Sequence, residues 1–458
     1  MHCPDEPGDT DRRGHCIAAF CLTVEASLYS IGRSGPANWR ERKLQLEIKM
    51  EDQLRDYVRA AKSHLASLAD AKNAYDVVRS AMLAEVNAIV DEREAGKCVI
   101  PELEFAQIQS NEVSSDTRAR IRRRGCVVVR GVFERARAED WNGELGDYIS
   151  DNDYLTKAKE KAGLDTYFAG LKSGAPQIFG LYWSKPQVMA RQAESMAATK
   201  RFLNRLWDVA GPMGPEFDPD NDYAYADRTR RREPGDTTLG LSPHMDSGSY
   251  ERWLDPAYQK IYAAIFSGHW QDYDPWKATF RTQTREYASP AVCSMFRTFQ
   301  GWTALTRQGP NDGTLSLFPV ANSIGYFLLR ALQEDVPDDD LCDAAPGRAL
   351  GASAKWHADI LSGMTSIPTV APGDTVWWHP DVIHSVADEH KGTEYANVIY
   401  IGASPRCSKN EAYARKQAQA FLAGTSAPDF AAEDYEVDFV GRATMEDLTE
   451  LGRRQMCL

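Results

Sequence analysis

The chain has 458 residues, 43% hydrophobic and 26% charged, with 23 prolines and 32 glycines. That is the composition of a globular protein with core material for one large domain or for two to three ordinary ones. Lys and Arg number 53 against 66 Asp and Glu, a formal net charge of -13, which weighs against nucleic-acid binding and suits an enzyme of small molecules.

No stretch approaches the roughly 20 apolar residues of a membrane span, so no membrane partner is expected. Residues 16–24 behind Arg12 and Arg13 resemble a short signal-peptide core, but Glu25 closes it early and no small-residue cleavage pattern follows. The nine cysteines are scattered and form no CxxC pair. Neither a disulfide framework nor a structural zinc site is expected, and the default setting is reducing and cytoplasmic.

Residues 1–45, rich in Gly, Pro and charge, read as a poorly ordered N-terminal tail. Residues 46–110 read as an N-terminal helical segment. Leu54, Tyr57, Val58 and Ala61, then Leu65, Leu68, Ala71 and Ala74, recur at helical spacing, and Gly96 ends the run. Residues 111–458 form the remaining domain. Within it, residues 125–133 (GCVVVRGVF) predict a buried strand and residues 138–148 a helix. Residues 216–222 (EFDPDND) and 228–236 (RTRRREPGD) read as loops. For the second, a solvated basic loop is preferred to an anion-binding lid. The second half alternates short strands (314–320, 375–378, 397–402) with Gly and Pro, which predicts a β-sandwich or barrel rather than βαβ units. Residues 410–422 and 445–456 predict closing helices.

Three His-x-Asp triplets occur, at 244–246, 357–359 and 379–381. A mononuclear Fe(II) centre of the oxygenase kind needs two His and one carboxylate on one face, with the other face open. On a strand, residues i and i+2 point the same way, so His-x-Asp supplies two ligands; the third must come from a distant strand folded back beside them. Only His244 and Asp246 lie far enough from His384 to leave room for the intervening strands. His384 itself follows a PGD turn and an apolar strand within 372–385 (PGDTVWWHPDVIHS). The predicted metal ligands and catalytic residues are therefore His244, Asp246 and His384. His357 reads as a core or supporting residue, and His379 as one that packs or orients. Trp302, Trp377, Trp378 and Phe299 form an aromatic group read chiefly as core. Tyr182, Trp183 and Lys185 are candidates for the mouth of the site.

The order of these segments, with 302–306 (WTALT) and 311–315 (NDGTL), resembles phytanoyl-CoA-dioxygenase-like proteins. GLYWSKPQ (180–187), LSPHMDSGSYERW, FRTFQGWTALT, GDTVWWHPDVIH and NVIYIGASPRCSKN resemble the YbiU-like family of bacterial and fungal proteins more closely, over residues 65–458. The resemblance implies a double-stranded β-helix (a cupin-like jelly roll) with flanking helices. It also implies non-haem Fe(II) with 2-oxoglutarate as cosubstrate, and molecular oxygen and a small-molecule substrate as partners. Fungal relatives of this kind include an oxygenase that closes an aziridine ring on valine in secondary metabolism. A free amino acid, hydroxylated or cyclised, is thus the implied substrate. In the phytanoyl-CoA group an Arg soon after the distal His pairs with the far carboxylate of 2-oxoglutarate, but Glu394, Tyr395, Ala396 and Asn397 offer no cation here. Two cosubstrate-binding candidates remain. Arg297 on a strand after the His-x-Asp segment is preferred, while Arg406 follows Pro405, where the strand has ended, and reads better as a surface residue. The same ligand set leaves two alternatives open, a cupin-like Zn or Mn hydrolase or isomerase and a non-catalytic metal-binding protein.

Overall fold

The computed structural model describes residues 36–161, 177–237, 242–246, 248–286 and 292–458, with the backbone course alone for 36–50. The tail expected at 1–45 and the signal-like stretch lie outside these residues up to position 35. Helix α1 (Pro36–Ala66) begins directly after that point.

Two sheets face each other in a mixed α/β architecture. With strands numbered along the chain, the larger sheet runs in space β1 (Glu102–Glu104), β2 (Cys126–Arg130), β11 (Thr375–Trp378), β7 (Gln300–Ala304), β13 (Ala396–Tyr400), β5 (Thr229–Arg232) and β3 (Ile178–Phe179). The smaller sheet runs β10 (Thr365–Ser366), β8 (Leu315–Leu317), β12 (His384–Val386), β6 (His244–Met245) and β9 (Leu350–Gly351). A separate pair joins β14 (Ser404–Arg406) to β4 (Asp218–Tyr223). The pairings are antiparallel apart from β1 with β2.

The two-residue period of a strand explains the layering. Val128, Trp302, Val376, Trp378 and Val398 on one face of the larger sheet share a cluster with Leu315 and Leu317 of the smaller one. Their neighbours Val127, Val129, Trp377 and Ile399 point the other way and pack on Trp141 and Leu145 of helix Arg135–Asp151. The smaller sheet is backed by the N-terminal helices. Val58 and Leu65 of α1, with Val78, Met82 and Ile89 of α2 (Ala71–Glu94), share one core with Met245, Phe327 and Ile383. The Asp70 side chain caps α2 by accepting from Asn73 N, and Gly96 leaves the helix region at φ 66°. The closing segments fold as helix Ser408–Ala423 and helix Glu450–Met456 behind a short 3-10 turn, Met445–Asp447.

Two segments read as loops are strands. Asp218–Tyr223 is β4, and Thr229–Arg232 is β5, bordered by β13 and β3 inside the larger sheet. Neither shows apolar alternation, so the usual strand signal is missing. Hydrogen bonds to charged side chains take its place. Fully buried Arg232 donates to the carbonyls of Gly313 at 2.8 Å and Asp388 at 2.9 Å. The solvated-loop reading of 228–236 fails because Arg230 and Arg232 are buried.

The PGD turn that launches β11 is built as its residues require. Asp374 accepts from Arg130 at 2.7 Å and from the amides of Gly131 and Ala371, each at 2.9 Å. Gly373 sits at φ 92°, and a Cβ there would run into the carbonyl of Phe133. Gly373→Ala is expected to cost about 2–4 kcal/mol of stability, combining left-handed strain with a backbone clash. Urea unfolding of the variant against the parent protein measures it.

Candidate active site

His244 opens β6 and His384 opens β12, and the two residues are direct antiparallel partners. That pairing brings residues far apart in sequence to ring centroids 4.3 Å apart. Asp246, two residues after His244, turns its carboxylate between them. His244 Nε2 lies 3.6 Å from Oδ1, and His384 Nε2 lies 3.5 Å from Oδ2. One donor atom from each of the three lies within 4.8 Å of the others, a group that could hold a metal ion.

The tautomers suit a ligand set. His244 Nδ1 donates to the carbonyl of Ser242 at 2.7 Å, and His384 Nδ1 faces the carbonyl of Val382 at 3.3 Å. With Nδ1 turned to a carbonyl in each case, Nε2 is the atom that would face a bound metal. Burial, reinforced by His384, pushes His244 down to about 4, so it stays a neutral donor at physiological pH. Burial alone would raise the pKa of Asp246. His384, His244 and Arg297 outweigh it and hold that carboxyl well below the usual carboxylate range. Two imidazoles and one carboxylate are a donor set that fits a divalent transition metal.

The three groups line a cavity of about 120 Å³ between the sheets. A single water needs only about 10–15 Å³ on this measure, so there is room for a small organic molecule. Trp302, Trp378, Val398 and Leu315 supply apolar wall, and Gln300, Arg228, Arg230 and Arg297 supply polar wall. Gln300 donates to Asp246 Oδ2 at 2.7 Å. Arg297 is buried, its guanidinium lies 5.3 Å from the ring centroid of Tyr225, and its Nε and Nη2 have no hydrogen-bond partner among the described residues. It crosses Gly402 so closely that a Cβ there would come within 2.8 Å of its Cδ.

The other expectations resolve individually. Arg406 is exposed on β14, outside the cavity, because β14 pairs with β4 rather than joining the larger sheet. Tyr182 and Trp183 are buried in a separate core against Phe421, and Lys185 pairs with Asp447, so these residues do not line the cavity. His357 stacks on Phe327 at 4.5 Å in the core, and Asp359 pairs with Arg79. Strand alternation splits the aromatic group. Trp302 and Trp378 reach the cavity, and Trp377 and Phe299 face the opposite core.

His379 packs, as expected. It stacks on Trp207 at 4.8 Å, its Nδ1 accepts from Asp381 N, and its Nε2 faces the carbonyl of Pro275 at 3.0 Å. Asp381 lies between Arg252 at 2.7 Å and Arg281 at 2.9 Å, all three buried. Arg252 also donates to the backbone carbonyl of Asp246 at 2.9 Å. One guanidinium therefore ties the Asp246 segment to the turn that delivers His384. Sequence reasoning missed Arg252, Gln300 and Arg230. The first two stood inside recognised motifs without a role, and the third in a run read as a loop.

Comparison with known proteins places the chain. The Gig2-like family model matches residues 52–458. The chain belongs to the Gig2-like family. YbiU of Escherichia coli strain K12 is 44% identical over 376 residues, covering 82% of this chain and 88% of YbiU. The expected YbiU-like kinship thus holds at the level of the family. A Salmonella typhimurium LT2 protein, provisionally named an oxidoreductase, has a crystal structure with TM-score 0.84 and 42% identity, covering 88% of this chain and 97% of that one. GIG2 of Candida albicans, named for induction by GlcNAc, has TM-score 0.73 and 28% identity, covering 87% and 88%. Among the described residues of this Gig2-like chain, no helix is long and apolar enough to cross a membrane.

The buried imidazoles set an acid limit on stability. His379 remains neutral in the folded state down to about 3, held there by burial against the pull of Asp381, and burial holds His357 neutral down to about 4. In the unfolded chain both take up a proton near 6.5. Over that interval the unfolded state binds more protons, so stability falls as pH drops, by up to about 1.4 kcal/mol per pH unit for each imidazole. The urea midpoint is expected to decline steadily from about pH 6.5 to pH 4. A flat midpoint over this range would contradict neutral, buried imidazoles.

Proposed function

We propose that this Gig2-like protein is a non-haem Fe(II)/2-oxoglutarate-dependent oxygenase that oxidises a C–H bond of a small molecule. The observation that carries the reading is the meeting of His244, Asp246 and His384 at a cavity whose wall holds a buried Arg297 with no carboxylate at ion-pair distance among the described residues. The facing sheets are read as the halves of a double-stranded β-helix. The helices of the segment 46–110 buttress its smaller sheet, while β1 of the same segment edges the larger one, and residues 111–458 are read as the oxygenase domain. The name of the Salmonella relative points toward the same reaction class.

His244 Nε2, His384 Nε2 and the Asp246 carboxylate would hold the metal. When bound, Fe(II) and 2-oxoglutarate supply the oxidising chemistry, turning oxygen and the cosubstrate into succinate and carbon dioxide while the substrate is oxidised. The protein's part is to position and to exclude. Arg297 offers a planar, desolvated guanidinium to the far carboxylate of the cosubstrate, with Tyr225 beneath it and Gly402 making way for it. Trp302, Trp378 and Val398 keep water from the reacting bond. Gln300 fixes the Asp246 carboxylate by hydrogen bond. A free amino acid such as valine, either hydroxylated or closed to an aziridine in secondary metabolism, is the substrate that the family resemblance favours.

His244→Ala and His384→Ala are each expected to abolish stoichiometric Fe(II) retention after anaerobic reconstitution, together with oxygen-dependent succinate release. Metal retention and succinate are the two readouts. Turnover that continues without oxygen would point instead to Zn or Mn hydrolase or isomerase chemistry. Arg297→Gln should keep the metal and raise the 2-oxoglutarate requirement by about 10–100-fold, the range for losing a charged hydrogen-bonding partner.

A further inference from the structure

The basic run 228–232 holds four arginines, three of them on β5, and the structure accounts differently for each. Arg228 pairs with Asp227 at 3.5 Å. Arg232 spends its two terminal nitrogens on backbone carbonyls, and its Nε lies 4.0 Å from the Asp236 carboxylate. Arg231, on the opposite face of the strand, lies 5.9 Å from the ring centroid of Tyr395. Arg230 is buried, with 7% relative exposure, and forms part of the cavity wall beside Val398 and Tyr400. Among the described residues it has no carboxylate within ion-pair distance, and its hydrogen bond is a long one of 3.4 Å to the side-chain oxygen of Gln177.

A buried guanidinium without a counter-charge is costly, and a single neutral amide at the edge of hydrogen-bonding distance offsets little of that cost. Burial accordingly pulls the pKa of Arg230 below the ordinary arginine value, with only partial opposition from Tyr400 and Asp236. Strand geometry makes the orientation firm, because Arg230 is the register partner of Val398 on β13. Both line the same cavity as His244, Asp246 and His384.

We propose that Arg230 is a second anion anchor of the cavity and receives a carboxylate of the substrate to be oxidised, while Arg297 holds that of the cosubstrate. This rests on the oxygenase reading above. A carboxylate is the fitting class of anion. One planar fork matches one carboxylate in a bidentate pair. A phosphate group, with about 1.5–2 negative charges, calls for a second cation, and the neighbouring Arg228 is already paired with Asp227. The anchor would set specificity by fixing one end of the substrate, so that the bond presented to the metal is determined by its distance from the acid group. A substrate lacking the acid would leave the guanidinium buried and unpaired.

The test uses the full-length protein loaded with Mn(II) under anaerobic conditions and titrated calorimetrically. 2-Oxoglutarate is titrated first. At saturation, a panel of small aliphatic carboxylates, L-valine and isobutyrate among them, is titrated against their primary amides. The parent protein is expected to bind acids in preference to amides. Arg230→Gln should lose about tenfold or more of the affinity for the acids while its 2-oxoglutarate affinity stays within about threefold, and Arg230→Lys, a point charge, should fall between. Parent protein that takes 2-oxoglutarate but shows no preference for acids over amides overturns the proposal and leaves the oxygenase reading standing. So does an Arg230→Gln variant that loses 2-oxoglutarate instead. A parent protein that binds metal but not 2-oxoglutarate overturns the oxygenase reading itself.

Discussion

The site depends on one sealed carboxylate. Asp381, 1% exposed, sits between the guanidiniums of Arg252 and Arg281. Burial alone would raise its pKa, but the two cations outweigh that and hold it ionised well below the usual range. Breaking such a pair leaves an uncompensated buried charge, at a cost of about 3–5 kcal/mol. The cluster also does geometric work. Asp381 belongs to the turn between β11 and β12, and Arg252 reaches from it to the backbone of Asp246. The two chain segments that carry the proposed ligands thus share one rigid joint, stiffened by His379 stacked on Trp207.

Charge inside the cavity runs against charge outside. The chain carries a formal net charge of -13, yet Arg228, Arg230 and Arg297 line a space whose acidic groups are Asp227 and Asp246. Asp227 is paired with Arg228, and Asp246 lies between His244 and His384. A low-dielectric pocket with cations of this kind concentrates small anions despite the surrounding field.

Much of the layering was legible in the sequence because apolar alternation is a direct record of burial. Residues 125–133, 314–320, 375–378 and 397–402 all contain strands, and the helical stretch from Leu46 resolves into α1 and α2. His244, Asp246 and His384 were legible for a different reason, since two-residue spacing fixes a shared strand face and sequence distance rules out nearer partners. What could not be read was charge that folding buries. Nothing in RTRRR distinguishes a solvated loop from a strand whose guanidiniums reach distant carbonyls or line a cavity. Those partners, Gly313, Ala387 and Asp388, lie far along the chain. Arg406 shows the converse. Its place after the distal His suggested a cosubstrate contact, but pairing with β4 turns that strand away from the larger sheet.

Gln300 belongs to β7 of the larger sheet, while the carboxylate it holds belongs to the segment that continues β6 of the smaller one. Its own amide oxygen is buried without a hydrogen-bond partner among the described residues, so Asp246 is the one hydrogen-bonded anchor of its side chain there. The consequence is mechanical. The Gln300–Asp246 hydrogen bond acts as a rivet between the layers, and whatever wedges into the cavity and spreads them must tug on the carboxylate proposed to hold the ion.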